Sequence, residues 1–308
     1  MPNATLIVGA GGFIGRALTA SLVSSGEPVI AGVRSAVKDL TPGADQRLID
    51  FDDRVSLQKM LERCGSVVYL ASDSTPVSTA RRPLAEMDLN LRPLLIFLEE
   101  LGKFQNIPLV YLSSAGSLYS GSDDQLLDEA QLPCPRSYHG AGKIAAEHFI
   151  GAWCRQNGMC ATIVRPSNVF GPGQTERKGF GIIPHAFGAV LRNDPITVRG
   201  DGEAARDYLY INDLINLCTA ILRKPPASGV AIFNAGTGVA TPLKDLLALI
   251  EDITGREPER HYQPIEAVDA GTVAIDPSHA TRSLGWKPQM PLRKGLEITW
   301  KWFCERRN

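Results

Sequence analysis

At 308 residues the chain is long enough for one large α/β domain with a smaller lobe, and 44% hydrophobic with 21% charged residues is ordinary for a globular protein. A formal net charge of −1 excludes a global basic field that would draw in nucleic acid or anionic lipid, so neither is an expected partner. The first apolar run meets glycine at Gly9, too soon for a secretory core or a membrane span. Six cysteines show no Cys-x-x-Cys spacing and five histidines no His-Glu-x-x-His pattern; no metal is expected, and reduced thiols fit a cytoplasmic protein.

In chain order, residues 5–8 predict a strand, 14–25 a helix and 29–33 a second strand. A third strand is predicted over 66–71, a long helix over 84–101, a strand over 109–113, a helix over 139–156 and a strand over 160–165. Alternation at this spacing predicts a doubly wound parallel sheet of the Rossmann type with helices on both faces. After residue 166 the pattern breaks into short Gly- and Pro-rich elements near 169–174, 179–184 and 224–229, with helices near 184–192 and 242–254. We therefore expect residues 1–166 to form mainly a dinucleotide-binding domain. Residues 167–308 are expected to form mainly a smaller α/β substrate lobe, interleaved with the last sheet strands.

Gly9-Ala10-Gly11-Gly12-Phe13-Ile14-Gly15 follows the first strand and opens the first helix. Glycines at 9, 12 and 15 keep the turn tight, let backbone N–H groups approach a pyrophosphate and let the helix pack on the sheet. The second strand ends at Val33 followed by Arg34. An acidic residue there would accept hydrogen bonds from the adenosine ribose of NAD, whereas a neutral residue followed by Arg leaves room and charge for the 2′-phosphate of NADP; Arg34 is equally explained as a solvated surface residue. Asp50-Phe51 fits an adenine-contacting pair at a strand end, and Leu70-Ala71 then lies beside the cofactor.

Several runs, in order, carry a family resemblance: the three glycines; Met87-Asp88-Leu89-Asn90; Leu112 to Tyr119; Arg165-Pro166-Ser167-Asn168-Val169-Phe170-Gly171-Pro172-Gly173-Gln174; Arg206 to Asp213; Phe233 to Gly238; and Leu284-Gly285-Trp286-Lys287-Pro288. Over essentially its whole length the chain resembles an extended short-chain dehydrogenase/reductase of the nucleotide-sugar epimerase/dehydratase type. The resemblance implies a bound NAD or NADP, with Asn90 on the cofactor side. It also implies a tyrosine phenolate that removes a sugar hydroxyl proton while hydride leaves the same carbon, helped by a lysine and a Ser or Thr hydroxyl.

Carried over by position, Lys143 matches the lysine that also holds the nicotinamide ribose, and His139, four residues before it, stands in the tyrosine column. Helical geometry puts positions i and i+4 on one face, so His139 faces the site if the helix has begun there. Three readings stay open: His139 is a working base, Tyr138 is delivered by a one-residue irregularity at the helix start, or the site is impaired. The usual serine column holds Ala115, which leaves Ser117 as the expected hydroxyl and Ser114 as the second choice; a serine capping a strand end explains either equally well.

On the substrate side Asn168 matches a residue contacting the nucleotide diphosphate, and Arg206 an arginine pairing with phosphate. Lys178 stands in a loop able to close over the nucleotide, or is simply solvated. Of a later Arg–Asp pair only Asp269 is present, Glu266 standing where the arginine belongs. The expected activity is C4 epimerisation of a UDP-hexose or UDP-N-acetylhexosamine, a step the resemblance links to polysaccharide synthesis, in a homodimer. The alternatives are an NADPH-dependent 4-keto-sugar-nucleotide reductase and a nucleotide-sugar-binding homologue without turnover.

Overall fold

The computed structural model describes residues 4–120, 126–177, 181–264 and 271–306. The first half runs β1 (Ala4–Val8), α1 (Phe13–Ser24), β2 (Val29–Val33), β3 (Asp45–Leu48), α2 (Arg54–Leu61) and β4 (Cys64–Tyr69). A helix in three parts follows: α3 (Pro83–Glu86), a π-helical turn (Met87–Leu91) and α4 (Arg92–Leu101). Then come β5 (Leu109–Leu112), α5 (Ala115–Leu118), α6 (Tyr138–Asn157) and β6 (Cys160–Pro166). The second half runs β7 (Asn168–Phe170), α7 (Ile182–Arg192), β8 (Ile196–Arg199), β9 (Ala205–Tyr210), α8 (Ile211–Arg223) and β10 (Gly229–Ala235). It ends with β11 (Ala240–Pro242), α9 (Leu243–Thr254), β12 (Arg260–Gln263), α10 (Ser278–Leu284) and α11 (Leu292–Glu305).

Among the described residues, seven strands form one parallel sheet in the order β10-β6-β5-β4-β1-β2-β3. Leu6, Ile7 and Val8 are all fully buried because helices cover both faces, which is why the central strands read as unbroken apolar runs. One face packs under α1 and α8, with Leu18, Leu22, Leu214 and Cys218 in a core that continues through Phe187 and Leu246 into the second half of the chain. The other packs under α2, α4 and α6 through Leu57, Phe97, Ile150 and Trp153. The edge strand β3 (Asp-Gln-Arg-Leu) was not anticipated: it is short and mostly exposed, and its charges belong to a sheet edge.

The chain steps from β1 outward to β2 and β3, then returns to the other side of β1 with β4. Connections leaving β1 and β4 therefore diverge to opposite faces and open a crevice at the carboxyl ends of the strands, the usual ligand position in such sheets. Residues after 166 build that crevice's other wall from a three-stranded sheet, β11-β9-β7, and the pair β12-β8, while β10 returns as the seventh strand of the large sheet. No helix among the described residues is long and apolar enough to cross a membrane.

The π turn has a local cause. Pro93, in the first turn of α4, has no N–H to donate back along the helix, so the backbone widens just before it. That widening falls on Asn90.

Candidate active site

A single cleft of about 2500 Å³ runs from the glycine turn to the C-terminal wall, well beyond the roughly 300–1,000 Å³ of an ordinary small-molecule pocket. At one end Gly9 has φ +93°, and a Cβ there would sit 2.9 Å from the Ala71 nitrogen; at Gly15 it would sit 2.3 Å from the Gly9 oxygen. α1 thus lies directly on the turn. Its N-cap is Gly12, which carries no capping oxygen, so the first-turn N–H groups, including those of Phe13 and Ile14, remain for an anionic ligand.

Asp50, Phe51, Leu70 and Ala71 line the same end, the last two just past the end of β4. Phe51 leans toward Tyr69 with ring centroids 6.3 Å apart. Arg34 is exposed and spends its charge on an ion pair with Asp73 across the cleft mouth.

α6 begins with a cap made by its own sequence: Ser137 Oγ accepts from the Gly140 N–H at 3.1 Å. The helix is regular from Tyr138 onward, so His139 and Lys143 share one buried face, as i and i+4 must. Tyr138 is 44% exposed and is not among the residues lining the cleft. The irregularity needed to turn it inward does not occur.

The Lys143 ammonium donates to the Leu112 carbonyl at 2.8 Å and lies 4.9 Å from the Tyr111 ring centroid. Burial pushes it down to about 8 from an ordinary 10.5, against the pull of Glu86 and Glu147. His139 is 7% exposed, and burial, with Lys143 nearby, pushes it down to about 4. At neutral pH the imidazole is therefore uncharged, the form that can take a proton. Ser114 and Ser117 line the same cleft, Ser114 Oγ donating to Ser117 Oγ at 3.1 Å. Gly140 admits the Ser117 carbonyl, which would stand 2.3 Å from a Cβ there.

Asn90 does not line the cleft. It braces the loop after β4: its Oδ1 accepts from the Asp73 N–H at 2.8 Å, and its Nδ2 donates to Ser74 Oγ and to Glu86 Oε1, each at 2.7 Å. Ser74 in turn meets His139 Nδ1 at 2.8 Å. Ser74 and Glu86 were missed from sequence. One signal was available: Gly142, in mid-helix beside Lys143, marks a close approach, and a Cβ there would lie 2.8 Å from Glu86.

On the opposite wall Asn168 donates to the Asp207 carbonyl at 3.0 Å, beside Gly116. Arg206 lines the cleft and donates to the carbonyls of Ala205 (2.9 Å) and Gly271 (2.6 Å). Lys178 and Asp269, both expected on the substrate side, lie outside the described residues. The wall is latched by Asp207, fully buried, whose carboxylate accepts from the N–H groups of Thr237, Gly238 and Ile275 and from the hydroxyls of Ser167 and Thr237. Burial raises that carboxyl above its ordinary value, although these donors pull it down.

Comparison with known proteins agrees with the fold. The chain is 27% identical over 315 residues to UDP-glucose 4-epimerase of Mycolicibacterium smegmatis, covering 97% of this chain and 98% of the relative. It is 25% identical to dTDP-4-dehydro-6-deoxyglucose reductase of Escherichia coli, covering 96% of each. The crystal structure of UDP-glucose 4-epimerase from Thermotoga maritima with UDP-glucose superposes with a TM-score of 0.92 at 27% identity, over 99% of this chain and 100% of that one. Residues 5–236 match the model of the NAD dependent epimerase/dehydratase family, and this chain is a member of that family.

Proposed function

We propose that this protein is a nucleotide-sugar epimerase, inverting C4 of a UDP-hexose or UDP-N-acetylhexosamine with NAD held in the cleft. The observation that carries the reading is the position of His139 and Lys143. Both are buried on one face of α6, where the glycine-turn end of the cleft meets the wall bearing Asn168 and Arg206. The cradle suits a dinucleotide: Gly9, Gly12 and Gly15 with the α1 N-terminus for its pyrophosphate, Asp50, Phe51, Leu70 and Ala71 along its length, and Lys143 at its far end. Bound there, NAD supplies hydride acceptance and return at the sugar carbon.

The remaining chemistry belongs to the chain. His139 takes the sugar hydroxyl proton and later gives it back, Ser117 (with Ser114 behind it) hydrogen-bonds the reacting oxygen, and Asn168 and Arg206 hold the nucleotide diphosphate. Histidine is shorter than tyrosine, so the sugar must come close to α6.

Residues 1–166 serve mainly the cofactor and 167–308 mainly the substrate. The six thiols are free, which fits a cytoplasmic enzyme. Leu84 and Met87 on the helix over residues 83–101 and Phe149 on the helix over residues 138–157 are exposed apolar side chains, and they support a homodimer through these helices. Sedimentation velocity is expected to give a dimer that Phe149→Glu converts to monomer; a monomeric parent protein overturns that assignment.

Incubation with UDP-glucose and UDP-N-acetylglucosamine, followed by proton NMR, is expected to show the C4 epimer of at least one with no net change in nicotinamide redox state. The second reading, a 4-keto-sugar-nucleotide reductase, is favoured by the Escherichia coli relative. It predicts no interconversion, and instead loss of NADPH absorbance on addition of a 4-keto sugar nucleotide.

A further inference from the structure

We propose that Glu86, acting through Asn90 and Ser74, orients His139 and balances the charge it acquires during turnover. The inference rests on the acid–base reading of His139 given above and extends it to Glu86, Asn90 and Ser74, which act on the ring and not on the reacting atoms.

The hydrogen-bond directions are set from one end. Because the Asp73 N–H donates to Asn90 Oδ1, the Asn90 amide is oriented with both Nδ2 hydrogens outward, one to Ser74 Oγ and one to Glu86 Oε1. Ser74 Oγ then has one lone pair occupied. Its own hydrogen and second lone pair face His139 Nδ1 at 2.8 Å, so the hydroxyl can donate to that nitrogen or accept from it. With Nδ1 turned to Ser74, Nε2 is the nitrogen left for the cleft that His139 lines.

When Nδ1 carries the hydrogen, Nε2 has the lone pair a base needs. The sugar O–H bond breaks, an Nε2–H bond forms, and the ring becomes imidazolium with Nδ1–H donating to Ser74. The reverse transfer restores both groups, so nothing is consumed.

Forming that cation is the difficulty. The ring is buried, and the Lys143 charge one turn along α6 opposes it. Among the described residues the opposing charge that bears on the ring is Glu86, from α3, with Oε1 3.9 Å from Nδ1. Glu86 is itself buried and held at both oxygens, Oε2 accepting from Thr79 Oγ1 at 3.1 Å. Gly142 gives it room, since any Cβ there would collide with its side chain. A buried carboxylate clamped on two sides behind a cleft-lining imidazole follows the logic by which a carboxylate steers a catalytic histidine.

The test uses ¹⁵N-labelled protein, with the His139 ring signals assigned by their loss in His139→Gln. Glu86→Gln keeps the shape and removes the charge. It is expected to lower the His139 titration midpoint by about one pH unit or more. It should also move the acid limb of the kcat/KM profile downward and cut kcat about 10–100-fold at unchanged KM. Ser74→Ala keeps the charge, cuts the chain, and is expected to alter the Nδ1 and Nε2 shifts already at pH 7, which keeps the proposal testable if Glu86→Gln does not fold. An unmoved His139 midpoint in Glu86→Gln, or unmoved ring shifts in Ser74→Ala, overturns it. The ring signals separate the two levels: a shifted midpoint without sugar turnover in the parent protein sinks the epimerase reading and keeps the network, whereas turnover with an unmoved midpoint does the reverse.

Discussion

Epimerisation is expected to fall about 10²–10⁴-fold when His139 is replaced by phenylalanine, the range by which a positioned acid–base group accelerates proton transfer. Phenylalanine keeps the ring volume and loses both nitrogens, so NAD binding should persist while the NMR signal of the C4 epimer grows at the residual rate. A Phe variant as fast as the parent removes the imidazole from the mechanism. His139→Tyr adds a second reading: a tyrosine variant that turns over where the parent does not marks this site as an impaired form of the family's.

The same substitution has a signature in stability. In the unfolded chain His139 titrates at its ordinary 6.5, but burial and Lys143 hold it down to about 4 in the fold. Between those values the unfolded state binds the extra proton, so stability falls as pH drops from 6.5 toward 4 and is restored as pH rises. Urea titrations across that window should slope less steeply for the Phe variant than for the parent.

Loss of Glu147 is expected to destabilise the fold by about 3–5 kcal/mol, the usual consequence of removing one member of a buried ion pair. Its carboxylate receives Arg165 Nη2 at 2.6 Å, the same guanidinium's Nε at 3.1 and 3.2 Å, and the Ser113 hydroxyl at 2.5 Å. Arg165 also donates to the Tyr119 hydroxyl at 2.7 Å, and that hydroxyl donates to Asn234 at 3.2 Å. The network ties α6, which carries His139 and Lys143, to β5, β6 and β10. Glu147→Ala strands a buried guanidinium, whereas Glu147→Leu combined with Arg165→Met removes both charges at similar volume. A denaturant midpoint for the double variant nearer the parent than the single is the expected result. Additive losses would show that the pair has no coupling.

Sequence and structure divide the credit along a physical line. The glycine turn was legible because its geometry is local: three glycines within seven residues set both the tight turn and the helix contact. The central strands were legible because burial on both faces demands unbroken apolar runs. Helical periodicity put His139 and Lys143 on one face on the condition that the helix had begun at His139, and the Ser137 cap seen in the structure meets that condition. Strand β3 was not legible, since four mostly exposed residues at a sheet edge leave no apolar pattern.

Nor could local pattern reveal what surrounds His139. Ser74 lies 65 residues from it in the chain, and the hydrogen bond between them exists because the helix over residues 83–101 packs on α6. The Asp207 latch gathers donors from three separate segments in the same way. Properties set by neighbours a few residues apart, such as turn and period, were in the sequence by itself. Which charge stands behind the imidazole was decided only by tertiary packing, because a buried polar group takes its partner from whatever the fold brings within hydrogen-bond reach.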